Sequence, residues 1–192
     1  WIIVIFISGI NLIILSSITV FGLISLLWIA FYIPKFEYIK NRLLSFFDTE
    51  TGTYNFQSDK ALDSITSGGF FGKGIGEGTL KNRVPEAHTD YIISVISEEF
   101  GVIAIILILV LFLVFIFTIL KKVGNETNNT IKLILVGSAS LILLQAMIHI
   151  GVNIRLFPTT GMTLPFLSYG GSSIISVSIL SGIILNLTKR KI

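Results

Sequence analysis

Four long apolar runs constrain what this chain can fold into more than any other feature of its sequence. They occupy residues 1–34, 91–120, 131–153 and 174–187. A bilayer core of about 30 Å requires roughly 20 apolar residues in a helix, so the first three runs each predict a helix that crosses a membrane. The shorter run at residues 174–187 completes the fourth span. As a single helix the first run would be roughly 50 Å long, which exceeds that thickness and predicts a break within it.

We expect the first run to contain the end of one helix at residues 1–12 and a full span at residues 15–32, with the break near residues 11–17. Pro34 ends the span, because proline cannot continue a hydrogen-bonded helix. The chain opens on Trp1 inside an apolar run that no basic segment precedes. This start indicates a piece of a longer or processed protein rather than a signal peptide.

Charged residues are scarce and unevenly distributed. They make up 13% of the chain, against 53% hydrophobic residues, whereas a soluble domain carries about 25% charged residues. Ten of the eleven Asp and Glu residues fall between Glu37 and Glu99. A net charge of +3 is too small and too scattered to indicate nucleic-acid binding. The predicted fold class is therefore an all-α polytopic membrane helix bundle, with about four full spans, a partial N-terminal one and a long extracytoplasmic loop.

Residues 35–90 form the polar block of the chain, and they are too numerous for a featureless loop in a compact protein. Aromatic and leucine side chains alternate with Lys40 and Arg42 over residues 38–47. That pattern is typical of a short amphipathic helix lying in the membrane interface. A second short helix is predicted at residues 57–67.

The ends of the second short helix follow from its flanking residues. Ser58 or Asp59 is suited to act as the N-cap, and Gly68 is suited to stop the helix. A run with six glycines follows at residues 68–78. The run does not match a Walker phosphate loop. It is either a turn that allows close backbone packing or a set of amides that cradles a phosphate.

The spans themselves carry polar groups. Glu98 and Glu99 lie about two turns into the run at residues 91–120, and a buried carboxylate there would require a partner. Gln145, His149 and Asn153 share one face of the next span. That face either joins helices by hydrogen bonds or lines a ligand cavity.

Residues 154–173 contain two prolines and several glycines among apolar side chains. Such backbone is tolerated at a membrane when it is buried in protein or lines a water-filled cavity, so we expect a re-entrant loop. Basic residues flank the turn at residues 121–130 and close the last segment, residues 174–192, which indicates that both are cytoplasmic. The block at residues 35–90 and the re-entrant loop then meet on the outer face, where a site is expected.

Five ionisable residues precede the second apolar run: Lys81, Arg83, Glu86, His88 and Asp90. A carboxylate at the mouth of a membrane helix can act as a base on a substrate that arrives along the bilayer. From these residues alone, the simplest interpretation is that Thr89 or Asp90 caps the following helix, where the helix dipole favours a negative charge.

The sequence PEAHTD at residues 85–90, followed by EEFG at residues 98–101, resembles the central signature of the SEDS family, the FtsW, RodA and SpoVE group of cell-wall polymerases. PTTG at residues 158–161 and PFLSYGGSS at residues 165–173 resemble the second signature of that family. The glycine run at residues 68–78 also fits its large loop. The resemblance covers nearly all of this chain but only about the C-terminal half of the family's fold.

Further residues indicate which type of family member this chain resembles. The segment TLPF at residues 163–166 favours the division-associated, FtsW-like type. Two residues depart from the family pattern: His149, where Asn is commoner, and Arg155, where a small residue is commoner. The resemblance implies a multi-pass protein of the bacterial plasma membrane. It also implies a class B penicillin-binding transpeptidase and other division proteins as partners.

The resemblance implies a peptidoglycan glycosyltransferase that polymerises lipid II, the lipid-linked disaccharide precursor, and it carries the catalytic role over to Asp90. As a general base, Asp90 would take the proton of the attacking sugar hydroxyl. Cations or a divalent metal shared with the substrate would hold the leaving diphosphate. A carboxylate pair of Glu86 with Asp90 is a further arrangement of the glycosidase kind. The candidate substrate-binding residues are Glu86, His88, Lys73, Lys81, Arg83, Gln145, Asn153, Arg155, Ser168, Tyr169 and Ser172.

Two other classes of function remain open at this point. The broken segment at residues 154–173 would also suit a transporter that moves lipid II across the membrane. A scaffold that recruits division proteins without chemistry of its own is the third hypothesis. A polymerase requires Asp90 as an ionisable base, whereas a scaffold does not.

Overall fold

A computed structural model describes residues 2–47, 56–79 and 86–189 of the chain. These residues form seven α-helices and one 3₁₀ turn, at Pro34–Phe36, and they contain no strand. The helices are α1 (Ile2–Ile7), α2 (Leu12–Tyr32), α3 (Glu37–Phe47), α4 (Phe56–Gly68), α5 (Ile92–Asn125), α6 (Asn129–Asn153) and α7 (Gly171–Lys189).

Four helices of the described residues, α2, α5, α6 and α7, are long and apolar enough to cross a membrane. The prediction of an all-α polytopic bundle with four full spans is therefore confirmed. Helix α2 buries only Leu15 and Ala30, so nearly all of its apolar surface faces outward. A surface of that kind is stable only against lipid or further protein.

The first apolar run breaks earlier than expected. Helix α1 ends at Ile7 and α2 begins at Leu12, so the break falls at residues 8–11 rather than 11–17. The side chain of Asn11 explains the difference, because it accepts a hydrogen bond from the amide of Ile13 (2.9 Å) and caps α2.

Helices α5, α6 and α7 surround the main core. Ile93, Leu135, Ile142 and Leu164 are almost fully buried in it. Leu164 belongs to the irregular segment between α6 and α7, so that segment is packed into the bundle rather than loose at its surface. Backbone without helical bonds is acceptable at that depth because protein surrounds it.

Helix α4 lies against the first turns of α5, and its N-cap prediction is wrong. The helix already includes Phe56, so Ser58 and Asp59 lie inside its first turn. Asp59 still suits that turn, because the helix dipole stabilises an acidic side chain there. The predicted stop at Gly68 agrees with the observed end of the helix.

The long helix α5 is interrupted at Gly101, whose backbone (φ 79°, ψ 178°) is not helical. The glycine-rich loop at residues 69–79 supplies hydrogen bonds around the interruption. The amides of Lys73 and Gly74 donate to the carbonyls of Glu98 and Glu99 (2.8 and 3.1 Å), and the amide of Val102 donates to the carbonyl of Gly69 (3.0 Å). The loop thus satisfies backbone groups that a kinked membrane helix would otherwise leave unpaired.

Close backbone approach explains the glycines in this region. A Cβ atom added at Gly101 would overlap the carbonyl of Phe70, and one added at Gly72 would overlap the carbonyl of Glu99. Because the amides of Lys73 and Gly74 are bonded to α5, they are not arranged to cradle a phosphate. The structure therefore favours the packing interpretation of the glycine run.

The buried carboxylate of Glu98 joins the same loop to α5. Its side chain is 1% exposed and accepts hydrogen bonds from Lys73 Nζ (3.0 Å) and the amide of Thr79 (3.0 Å). The hydroxyl of Ser64 on α4 donates to its other oxygen (3.3 Å). A carboxylate this deep requires such partners, as the sequence indicated.

Candidate active site

Asp90 lies immediately before α5, in a turn at residues 86–91. Its amide donates to the carbonyl of Glu86 (3.0 Å), and its own carbonyl accepts a hydrogen bond from Asn153 Nδ2 (3.0 Å). The N-cap residue of α5 is Tyr91, which makes no side-chain capping bond. The interpretation of Thr89 or Asp90 as the cap is therefore wrong, and the Asp90 carboxylate is not occupied in capping.

The Asp90 side chain lines a cavity of about 120 Å³ between elements that are far apart in sequence. The other lining residues are Arg42 of α3, Gln57 of α4, Tyr91, Val152 of α6 and residues 159–162. Gly161 lies beside Asp90, since a Cβ added there would be in ordinary contact with Asp90 Oδ2 (3.5 Å), and its φ of +66° favours glycine. The two loops that we expected to meet are thus both part of this cavity.

The surroundings of Asp90 favour its protonated form. Burial raises the pKa of the Asp90 carboxyl above its ordinary value, and the negative charge of Glu86 raises it further. Burial likewise raises the pKa of Tyr91 to about 12, with the charge of Asp90 adding to the shift and Arg42 opposing it. Tyr91 therefore remains a neutral phenol, whereas Asp90 becomes a stronger base than an exposed carboxylate.

Hydrogen bonds attach the Asp90 turn to the irregular segment that precedes α7. Ser168 Oγ donates to the carbonyl of Thr89 (2.7 Å) and accepts from the amide of Leu164 (2.8 Å). The amide of Tyr169 donates to the carbonyl of His88 (3.0 Å). The motifs at residues 85–90 and 165–173 are therefore in direct contact. Ser168 helps to fix the loop.

The polar face of α6 makes structural hydrogen bonds next to the site. Asn153 is fully buried, accepts from Ser94 Oγ (2.7 Å) and donates to the carbonyl of Asp90. His149 Nδ1 lies 2.7 Å from the carbonyl of Met162, and Gln145 Nε2 donates to the carbonyl of Thr163 (2.9 Å). Of the two interpretations of this face, the structure favours the one in which its side chains join neighbouring segments.

Several other candidate residues lie outside the cavity. Glu86 is exposed and accepts from the hydroxyl of Thr89 (2.8 Å), and the side chain of His88 is exposed. Tyr169 is 80% exposed, and Ser172 is exposed in the first turn of α7. None of these four side chains lines the Asp90 cavity in the described part of the chain.

The cationic candidates are distributed over different places. Lys73 pairs with buried Glu98 and is not among the residues that line the cavity. Arg155 Nη1 lies 2.5 Å from Asp59 Oδ1, so the departure from the family pattern at this position is matched by an acid on α4. Lys81 and Arg83 lie outside the described residues.

Several residues that line the cavity were not predicted as site residues, among them Arg42 and Gln57. Arg42 was assigned only to the polar face of an interfacial helix, yet its Nε atom is buried without a hydrogen-bond partner in the described structure. The sequence signal that could have identified Arg42 was its position in an amphipathic helix within the polar block at residues 35–90. In residues 2–47, 56–79 and 86–189, no group of three or more His, Asp or Glu side chains is arranged to hold a metal ion.

Comparison with protein families confirms the resemblance. The family model of the FtsW, RodA and SpoVE cell cycle proteins matches residues 1–192. Probable peptidoglycan glycosyltransferases FtsW are similar in sequence: the one from Enterococcus hirae is 38% identical over 92% of this chain and 46% of its own length. The one from Hydrogenovibrio crunogenus is 41% identical over 72% of this chain and 37% of its own length. The chain thus spans less than half the length of these relatives.

A solved structure has a similar fold. It concerns a peptidoglycan synthase complex that coordinates polymerization and crosslinking, and the matching chain is 24% identical, with a TM-score of 0.69. The match covers 97% of this chain and 52% of the other. The arrangement of helices described above therefore corresponds to about half of a known fold.

Proposed function

Because the chain belongs to the FtsW, RodA and SpoVE family of multi-pass membrane proteins, we propose that the complete protein is a peptidoglycan glycosyltransferase that polymerises lipid II during cell division. Asp90 is the general base in this proposal. The observation that carries it is the position of the Asp90 carboxylate in a polar cavity where both family motifs meet.

The reaction joins two lipid-linked sugars. A hydroxyl of one sugar attacks the anomeric carbon of another, the bond from that carbon to the lipid diphosphate breaks, and Asp90 accepts the hydroxyl proton. A cavity of about 120 Å³ is smaller than the roughly 300 Å³ at the low end of ligand pockets, so it suits the reacting hydroxyl rather than a whole disaccharide. The rest of the substrate lies beyond the cavity.

The leaving diphosphate requires positive charge or hydrogen-bond donors close to the anomeric carbon. Arg42 is suited to that role because it lines the cavity and its Nε is unpaired within the described residues. Gln57 adds an amide group. Lys81 and Arg83 remain candidates from the sequence, as does a divalent cation that takes part of its ligands from the substrate.

We further propose an orientation and a partner. Basic residues occur at the turn between α5 and α6 and at the end of α7, and they favour a cytoplasmic location for both of these segments. Asp90 then lies on the outer side with the polar block at residues 35–90. The partner would be a class B penicillin-binding transpeptidase, which crosslinks the product. The similar fold in a peptidoglycan synthase complex supports that choice.

The direct test is polymerisation by the complete protein. Purified protein is incubated with labelled lipid II, with and without its transpeptidase, and the glycan products are separated by gel electrophoresis. We expect glycan strands in both reactions and more in the presence of the partner. Movement of lipid II between leaflets of a vesicle without any polymer, under the same conditions, would instead identify a transporter.

The pH dependence of polymerisation should depend on Glu86. Activity is expected to rise with pH as Asp90 loses its proton, with a midpoint above that of an exposed Asp carboxyl because the pKa of Asp90 is raised. Glu86→Gln removes the negative charge that contributes to this shift, so the rising limb should move to lower pH. The control is Glu77→Gln, another exposed acid, which should leave the profile unchanged. Identical profiles for wild type and Glu86→Gln would contradict the electrostatic argument.

A further inference from the structure

A second cavity lies at the opposite end of α5 from Asp90, between the last turns of α5 and α7. Its volume is about 490 Å³. The walls that come from within the spans are apolar and include Phe115, Ile184 and Leu185. Lys121 and Lys122 line the part that lies at the end of α5. The cavity therefore changes from apolar to cationic where a span reaches the membrane surface.

Among the described residues, no ion pair neutralises the positive charge of this cavity. Neither Lys121 nor Lys122 forms an ion pair within the described residues, and no acidic side chain is part of the described lining. The hydroxyls of Thr118 and Thr188 donate to carbonyls of their own helices (2.8 and 2.7 Å). Lys121 and Lys122, with Asn125 beside them, are thus the main polar groups of the described lining that are available to a ligand.

We propose that this cavity binds an anionic phospholipid, with the headgroup phosphate at Lys121 and Lys122 and the upper acyl chains against the apolar walls. Basic pockets between the ends of membrane helices attract anionic headgroups. A phosphatidylglycerol-type lipid matches both parts of the cavity. A zwitterionic lipid has the same phosphate but also a cationic group, which the two lysines repel. A free phosphate ion lacks the apolar part and gains nothing from the walls.

The test is lipid binding by the complete protein in detergent, measured by native mass spectrometry with dioleoyl phosphatidylglycerol and dioleoyl phosphatidylcholine. The wild type should retain phosphatidylglycerol in preference to phosphatidylcholine. In the double variant Lys121→Gln/Lys122→Gln, the affinity for phosphatidylglycerol should fall by a factor on the order of 10 or more. The matched control is Lys132→Gln/Lys189→Gln, which removes the same charge from the start of α6 and the end of α7, at residues that do not line the cavity, and it should bind as the wild type does.

A second variant tests the apolar part with both lysines intact. Leu185→Trp fills the cavity between α5 and α7 and should also weaken phosphatidylglycerol binding, with the protein still monodisperse. An equal loss of phosphatidylglycerol affinity in the Lys132→Gln/Lys189→Gln control would overturn the proposed site. It would show that the basic residues attract anionic lipid without a specific site. Unchanged binding in either cavity variant, displacement of the lipid by equimolar glycerol 3-phosphate, or no retained phosphatidylglycerol in the wild type would overturn it as well. Polymerase activity is not part of this readout, so the proposal stands or falls independently of the proposed function.

Discussion

Asp90→Asn in the complete protein is expected to lower the rate of glycan polymerisation from lipid II by about 100-fold or more, the contribution typical of a general base. Asparagine has the same shape but cannot accept the hydroxyl proton. The backbone bonds of residue 90 to Glu86 and Asn153 involve no atom that the substitution changes. The loss should therefore be chemical rather than structural.

The stability of Asp90→Asn provides the control for folding. Because the pKa of Asp90 is raised in the folded protein, ionisation opposes folding once pH exceeds the carboxyl's unfolded pKa. A neutral side chain at this position should leave the thermal stability at neutral pH unchanged or slightly higher. Asp63→Asn, an exposed acid on α4 that pairs with Lys60, should retain full activity. Wild-type amounts of polymer from Asp90→Asn would refute the assignment of the base.

The same variant separates the three classes of function. A scaffold would tolerate Asp90→Asn in all respects, because recruitment of partners does not need an ionisable group. A transporter would lose movement of lipid II, and the wild type would form no polymer. A polymerase would lose polymer formation while still binding its transpeptidase, which can be measured by co-purification.

Gly101→Ala is expected to destabilise the protein by about 3 kcal/mol, which corresponds to a thermal midpoint lower by on the order of 10 °C. The backbone at Gly101 has φ 79° and ψ 178°, a conformation that residues with a Cβ rarely adopt. The added methyl group would also overlap the carbonyl of Phe70. Relief of the strain requires the glycine-rich loop to move away from α5.

The measurement is the thermal midpoint of the purified protein by fluorescence-detected size-exclusion chromatography, combined with limited proteolysis of residues 69–79. Gly124→Ala on the same helix is the matched control, because it has no neighbour within 4 Å and no positive φ. It should be neutral or slightly stabilising, since alanine favours helix more than glycine does. Equal midpoints for Gly101→Ala and the wild type would show that the kink does not depend on glycine.

The sequence was sufficient for the spans, because length and hydrophobicity alone determine whether a segment can cross a bilayer. The motif at residues 85–90 also led to Asp90 as the catalytic base, and that role stays a prediction. Sequence reasoning misjudged the start of α2, where the cap at Asn11 determines the boundary, and the start of α4. Both errors concern helix ends, and at α2 the end depends on a single local hydrogen bond.

Contacts between distant segments could not be predicted from the sequence. Lys73 was a candidate for holding the diphosphate, but its ammonium pairs with Glu98, 25 residues along the chain. Arg42 was read as an interfacial residue, but it lines the same cavity as Asp90. Periodicity and motifs report which residue types are neighbours along one element, and they contain no information about which elements meet.

For this protein, the sequence alone was enough to predict membrane insertion, the number of spans and the family. These follow from the length of the apolar runs and from short motifs. Only the tertiary structure decided which polar side chains surround Asp90 and which merely hold the bundle together. The physical reason is that a buried polar group must find its partner wherever the packed chain provides one. For Glu98 and Asn153, those partners come from segments tens of residues away.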